Sequence, residues 1–509
     1  MSLAQGCPGK SLLCIGLILL NVEMSKADDR PNVLLIVVDD LRPMLGCYGD
    51  ERIRTPNIDS LGDRGVLFEH AYCQYAKCGT SRLSMLTGLR PDAVSVFSNN
   101  VRDVNEFRRR RPDAVSLPAW LKQHGYHCQS FGKIYHDGWD VPTDWSVPSS
   151  PGRENEILEI ADPEHPRDAT VIADRHDCPA IQSPDVADDH LFAGRMTSQV
   201  LKSFAQKSTK PRFFAVGYRR PHLPFVAPKR YFDYYKADST WLPNHPLPSG
   251  DSPVMAWFNS DGYIGSARRI GLSMPRRPDR LQAIDWNGYE LRSYNGVPKQ
   301  SPIDQPTQIR LIKAYAACVT YVDAQIGRLM HGLSAAGLSS NSIIVLCSDH
   351  GWHLGEHSAW GKMTNFEVAT QVPLIISVPG KSPGRTRTIA ELVDLYPTVC
   401  DLTQTPRPPH LEGESLADVV NDPMFTDETS HAISQYPRFD GAYSGTAIRT
   451  LRHRYVQWTD NQTGQIAHQE LYDQNTDPNE TRNIAAEYVG TDLIRNLQRQ
   501  LNRRQQQTN

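Results

Sequence analysis

The sequence predicts a layered α/β fold with a smaller C-terminal α+β subdomain. Two observations carry that expectation. Strand-length apolar runs recur along the chain, and helical patterns lie between them. The runs are continuous rather than alternating. That marks strands covered on both faces, as in a mostly parallel sheet flanked by helices.

The elements follow in chain order. Lys10 precedes an apolar run over 11–20, shorter than the ~20 residues a membrane span needs. Ser25 and Ala27 are small residues at the positions a signal peptidase prefers, and Asp28-Asp29 follows. We expect a signal peptide over 1–27, cleavage after Ala27 and export, with no membrane span thereafter. The compartment is periplasmic, secreted or lysosome-like according to host.

Strands are expected over 33–38, 213–216, 343–347 and 373–378. Ser116 caps a helix with Pro118 in its first turn. A long helix is expected from Gln308 to Ala336, stopping at Gly337. Residues 140–188 and 236–307 read as long loops, which in compact domains often wall or cover a site. A composition break after Pro406-Arg407-Pro408-Pro409 divides a main domain, 28–424, from a subdomain, 425–509, that ends in a helix near 493–502.

The 54 basic and 57 acidic residues give a formal charge of −3. That balance offers no reason for nucleic acid as the main partner. At 39% hydrophobic residues the chain can bury a core, which excludes wholesale disorder. The run 108–111, four arginines, reads as a solvated face. Beyond residue 27 eight cysteines are scattered without a C-x-x-C pair, a count compatible with one disulfide.

Three segments carry chemistry. Asp39-Asp40 ends the first apolar run, and Asp349-His350 follows the run at 343–347. Ligands gather at the carboxyl ends of strands in open α/β sheets, and carboxylate-rich ligation suits a hard cation, calcium before magnesium. The third segment is Cys78-Gly79-Thr80-Ser81-Arg82, running on to Leu86-Thr87-Gly88. It reads as a helix start, whose free N–H groups favour anions and lower a thiol pKa.

This third segment resembles the signature Cys-x-(Pro/Ala)-Ser-Arg-x-x-x-Leu-Thr-Gly of the type I sulfatases, in the alkaline-phosphatase superfamily. The segments Asp39-Asp40-Leu41-Arg42-Pro43, Thr55-Pro56-Asn57-Ile58-Asp59, Gly132-Lys133-Ile134-Tyr135-His136, Arg220-Pro221-His222-Leu223-Pro224 and Ser348-Asp349-His350-Gly351-Trp352 are similar to the iduronate-2-sulfatase branch. The resemblance implies an alkaline-phosphatase-like mixed, mostly parallel sheet. It implies calcium held by Asp39, Asp40, Asp349 and His350, with residue 78 as a further ligand. It also implies Cys78 oxidised to formylglycine by a formylglycine-generating enzyme, its hydrate being the nucleophile.

By the same resemblance, Arg82 and Lys133 stabilise the ionised hydroxyl and the sulfate charge. His222 with Lys362 protonates the leaving sugar oxygen, and His136 takes a proton when sulfate is expelled. His357 and Trp360 are assigned to the substrate wall, and His353 to structure. The implied substrate is a sulfated sugar of a glycosaminoglycan-like polysaccharide, 2-sulfated uronic acid first. Two departures stand out: Thr80 replaces the usual Pro or Ala, and Phe97-Ser98 replaces a Tyr-Asp pair. Two other readings are a zinc-dependent phosphatase or phosphodiesterase of the superfamily, using Thr80, and a non-catalytic binder of sulfated glycans with Cys78 unconverted.

Overall fold

The computed structural model describes residues 29–149 and 177–507. The expected signal segment and part of the 140–188 stretch lie outside the described residues. The main sheet contains β1 Asn32–Val38, β2 Val66–Tyr72, β3 His127–Gly132, β4 Arg212–Tyr218, β5 Ser342–Ser348, β6 Gln371–Ser377, β7 Gly384–Thr386 and β8 Ala390–Glu391. Its order is β7-β2-β6-β5-β1-β4-β3, with β8 also on β2. β6 runs antiparallel to both neighbours, and the other pairs are parallel.

The helices that shape the site are α1 Cys78–Thr87, α2 Leu117–Gln123, α3 Phe192–Phe204, α4 Tyr289–Arg292, α5 Gln305–Ala335 and α6 Asp492–Gln507. The apolar run of β1 splits by pleat. Leu34, Ile36 and Val38 face a core shared with α3 and α5, whereas Val33, Leu35 and Val37 face a core shared with α1 and α2. Burial on both faces is what the unbroken run required.

α5 starts three residues before the sequence expectation. Asp304 caps it by accepting from the Thr307 amide at 2.7 Å, and Pro306 lies in its first turn. The reading of 236–307 as loop needs correcting: Val254–Trp257, Ile264–Arg269 and Arg280–Trp286 are helical, as is α4. The four arginines at 108–111 bond individually, to the Trp139 carbonyl, Glu106, the Val94 carbonyl and Asp113. None of the eight described cysteines forms a disulfide with another described one.

A second, antiparallel sheet follows: β9 His431–Arg438, β10 Tyr443–Thr450, β11 His453–Asp460 and β12 Ile466–Asp473, in that order. α6 covers it through Ile494, Leu497 and Leu501. A buried ionic joint ties this sheet to the main domain. Arg454 pairs with Glu480 at 2.6 Å and with Glu367, while Arg449 pairs with Glu367 at 3.0 Å. The Tyr72 hydroxyl donates to Glu367 at 2.7 Å. Among the described residues no helix is long and apolar enough to cross a membrane.

Candidate active site

Sheet register assembles the site. Val38 of β1 pairs with Ser348 of β5 and with Tyr218 of β4. Asp39-Asp40 and Asp349-His350 therefore leave the sheet side by side. Gly132 pairs with Gly217, so Lys133 emerges on the same edge. Ser348 locks the two strand ends together: its hydroxyl donates to the Val38 carbonyl at 2.7 Å and accepts from the Leu41 amide at 2.9 Å.

α1 enters this edge with its N-terminus. The whole helix is buried, and Ser81 donates to the Asp349 carbonyl. Arg82 reaches across to Asp349 Oδ2 at 2.8 Å and Asp39 Oδ1 at 3.5 Å. Position 79 admits only glycine, because a Cβ there would lie 2.6 Å from Asn99 Oδ1 and 2.7 Å from the Trp139 ring.

Cys78 Sγ lies 3.2 Å from His350 Nε2. Atoms of Asp39, Cys78, Asp349 and His350 lie within 4.8 Å of one another, and so do atoms of Asp40, Cys78 and His222. Asp39 Oδ1 is buried without a hydrogen-bond partner. Carboxylate oxygens, one of them orphaned, converging with an imidazole fit a hard divalent cation. Among the described residues these two sets are the clusters whose geometry could hold an ion.

The cationic groups meet the same carboxylates. Lys133 donates to Asp39 Oδ2, and Lys362 donates to Asp40 at 2.8 Å. Burial opposes ionisation of Asp39, yet Lys133 and Arg82 hold it well below the usual carboxylate range. Asp40 lies well above that range: burial, with Asp39 adding, outweighs Lys362. The expected lowering of the Cys78 thiol is overturned. Burial, reinforced by Asp39, pushes it up to about 12 despite Lys133 and Lys362.

His222 donates from Nδ1 to the Leu223 carbonyl at 2.6 Å, leaving Nε2 facing the cup. Burial, then Lys362, holds His222 well below its ordinary value. His136 lies edge-on to Trp139 at 5.4 Å with Nδ1 unpartnered. Burial and Lys133 lower it to about 3, so the ring is neutral near pH 7.

These strand-end carboxylates, buried cations and helix terminus come from one matched stretch. The family description "Sulfatase" covers residues 31–405, most of the chain. The chain belongs to the sulfatase family. The description "N-sulphoglucosamine sulphohydrolase, C-terminal" covers 355–507. Human iduronate 2-sulfatase is 32% identical over 96% of this chain and 98% of its own length. A sulfatase of Formosa agariphila is 29% identical over 91% of this chain and 84% of its own.

Solved structures share the alkaline-phosphatase-like fold. The phosphonate monoester hydrolase of Agrobacterium radiobacter superposes with a TM-score of 0.73 at 21% identity, covering 94% of this chain and 96% of that one. A protein solved with its substrate D-glucosamine-2-N,6-O-disulfate superposes at 0.68 and 21% identity, covering 94% and 98%. As a sulfatase, the present chain is a sulfuric ester hydrolase.

The remaining assigned residues of this sulfatase are held by close packing. His357 stacks on Phe366 with centroids 4.1 Å apart, and Trp360 packs into the core under α5. Both are only 3% exposed. His353 bonds Thr364 at 2.8 Å, and Glu356 is taken by Arg42 at 2.7 Å. Thr80 donates to the Val96 carbonyl at 2.6 Å. Sequence reasoning missed Glu290, whose carboxylate lies 3.2 Å from Lys362 Nζ and 3.6 Å from His222 Nε2. No periodicity marks it in the sequence.

A cleft of about 610 Å³ is lined on one side by Lys77, the residue before Cys78. Tyr75, Lys77, Phe97, Ser98, Asp261 and Tyr436 are among the residues lining it. Tyr75 lies 4.6 Å from Tyr436 and 5.9 Å from Phe97, ring to ring.

Proposed function

We propose that this sulfatase removes sulfate from a sulfated sugar of a glycosaminoglycan-like polysaccharide, with 2-sulfated uronic acid such as iduronate favoured. The observation that carries the reading is the position of Cys78, on a helix N-terminus against Asp39, Asp349 and His350. Human iduronate 2-sulfatase, similar over nearly its whole length, supports the uronate preference. The aromatic cleft lined by Tyr75, Lys77, Phe97 and Tyr436 suits a sugar ring.

Asp39, Asp40, Asp349 and His350 would hold calcium, with residue 78 beside it. When calcium and formylglycine are in place they supply a polarised hydroxyl nucleophile and an electrophile for sulfate oxygens. The chain's own groups do the rest. Arg82 and Lys133 neutralise charge in a buried site, where fixed cations act strongly. Lys362 and His222 would supply the proton of the leaving oxygen, and His136, just beyond the carboxyl end of β3, would accept one.

Maturation requires a formylglycine-generating enzyme as a transient partner, and residues 1–27 would export the chain. Thr80 is tied to the Val96 carbonyl, which argues against its use as a phosphatase nucleophile. The deciding experiment is desulfation of a panel of defined sulfated oligosaccharides, with sulfate loss mapped by position. Release from the 2-position of a uronate is expected. Turnover of phosphate monoesters alone, with zinc bound, would replace the reading.

A further inference from the structure

Glu290 is a buried carboxylate, 5% exposed, in the segment that sequence reasoning took for a loop. Its Oε1 is shared between Lys362 Nζ at 3.2 Å and His222 Nε2 at 3.6 Å. Its Oε2 has no hydrogen-bond partner. A carboxylate with one orphaned buried oxygen is costly to keep in a fold. Another residue of the segment clamps the same lysine by its backbone. Asn259 Nδ2 donates to the Lys362 carbonyl at 2.8 Å and the Trp360 carbonyl at 3.1 Å. Asn259 is itself fixed to α4 by the Gly288 amide at 3.0 Å.

The approach of α4 to the Trp360–Lys362 segment is close. A Cβ on Gly288, whose φ is +75°, would lie 2.8 Å from Trp360 Cβ. Thus the segment grips Lys362 at both ends, main chain and ammonium, and touches His222 with the same carboxylate oxygen.

Resting on the sulfate-ester reading above, we infer that Glu290 is a positioning residue for the leaving-group side of the reaction. It holds the Lys362 ammonium and the His222 ring as one unit over the bridging ester oxygen. When the S–O bond breaks, its electron pair stays on that oxygen, which takes one proton from this unit. The Lys362 ammonium, as donor, becomes the neutral amine. Glu290 gives up no proton and touches no substrate. Its contribution is to fix where the donor points.

The test separates leaving groups. A sugar or alkyl sulfate expels a basic alkoxide and depends on proton delivery, whereas 4-nitrophenyl sulfate expels a stable phenolate and depends on it little. Glu290→Gln and Glu290→Asp are compared with the unmodified enzyme on both ester types, with rates normalised to formylglycine content. Glu290→Gln is expected to lower kcat on the sugar or alkyl ester by about tenfold or more beyond its effect on the nitrophenyl ester. KM should shift by less than about threefold. Glu290→Asp, which keeps the charge on a shorter arm, should restore part of that ratio. Equal losses on both esters, or no loss on either, would overturn the positioning role and leave the sulfatase reading intact. An unmodified enzyme that cleaves neither ester would overturn both.

Discussion

His350 Nε2 faces the Cys78 sulfur at 3.2 Å, although 272 residues separate them. This contact joins the N-terminus of α1 to the end of β5. It brings a ring nitrogen to the carboxylates of Asp39 and Asp349, with which it would hold a hard cation. It also bears on the chemistry of residue 78: with the thiol pushed up to about 12, an unconverted cysteine stays protonated and is a poor nucleophile.

Cys78→Ala should therefore abolish turnover, by roughly a thousandfold or more, while leaving the circular dichroism spectrum unchanged. Mass spectrometry of the peptide containing residue 78 from native-host protein should show formylglycine. A free thiol in a fully active enzyme would remove the aldehyde from the mechanism. A free thiol in an inactive one would favour the glycan-binding reading.

Asp349 has three engagements: Oδ2 accepts from Arg82 at 2.8 Å, and Oδ1 accepts from the His350 amide at 3.1 Å and the Asp40 amide at 3.2 Å. Asp349→Asn is expected to lower calcium content and rate together, the rate by ~10–100-fold. Elemental analysis and kinetics on the same preparation check it. Lost rate with unchanged calcium would take Asp349 out of the ligand set.

Much of the site was legible because its carriers are short. Asp39-Asp40 and Asp349-His350 abut uninterrupted apolar runs, and the Cys78 motif opens a helix. The register joining Val38 to Ser348 is not written in either run, because parallel strands 310 residues apart pair only through the tertiary fold. β2 was missed because Glu69 and His70 interrupt its apolar pattern. The helices within 254–292, four to seven residues each, are too short for a 3.6-residue period to show. Glu290 acquires meaning only against Lys362. The direction of the Cys78 shift was misread for a related reason. A helix terminus is visible in sequence, whereas full burial and the nearby Asp39 are not.

The joint between the two sheets depends on Arg454, which is 1% exposed. It is surrounded by Glu480 and Glu367, with Tyr72 beneath its guanidinium at 5.7 Å. Arg454→Met would leave the buried Glu480 without its cation and Glu367 with Arg449 alone, at a cost of about 3–5 kcal/mol. Denaturant unfolding should report that loss. A change below about 1 kcal/mol would mean the joint relaxes or admits water.

His357 provides a pH test. Burial lowers it to about 4, against an ordinary value near 6.5 in the unfolded chain. Above pH 6.5 the ring is neutral in both states and its contribution is complete. As the pH falls from 6.5 towards 4, the unfolded chain binds a proton that the folded chain refuses, so stability declines by up to about 3 kcal/mol. The residue has φ +56°, a left-handed conformation that Asn tolerates. His357→Asn should therefore flatten the fall in melting temperature between pH 6.5 and 4 without straining the backbone. The same variant weighs the substrate-wall assignment. A ring stacked on Phe366 and 3% exposed has little surface to offer a sugar, so KM should move by less than about twofold. A tenfold rise in KM with an unaltered acid slope would instead place His357 against the substrate.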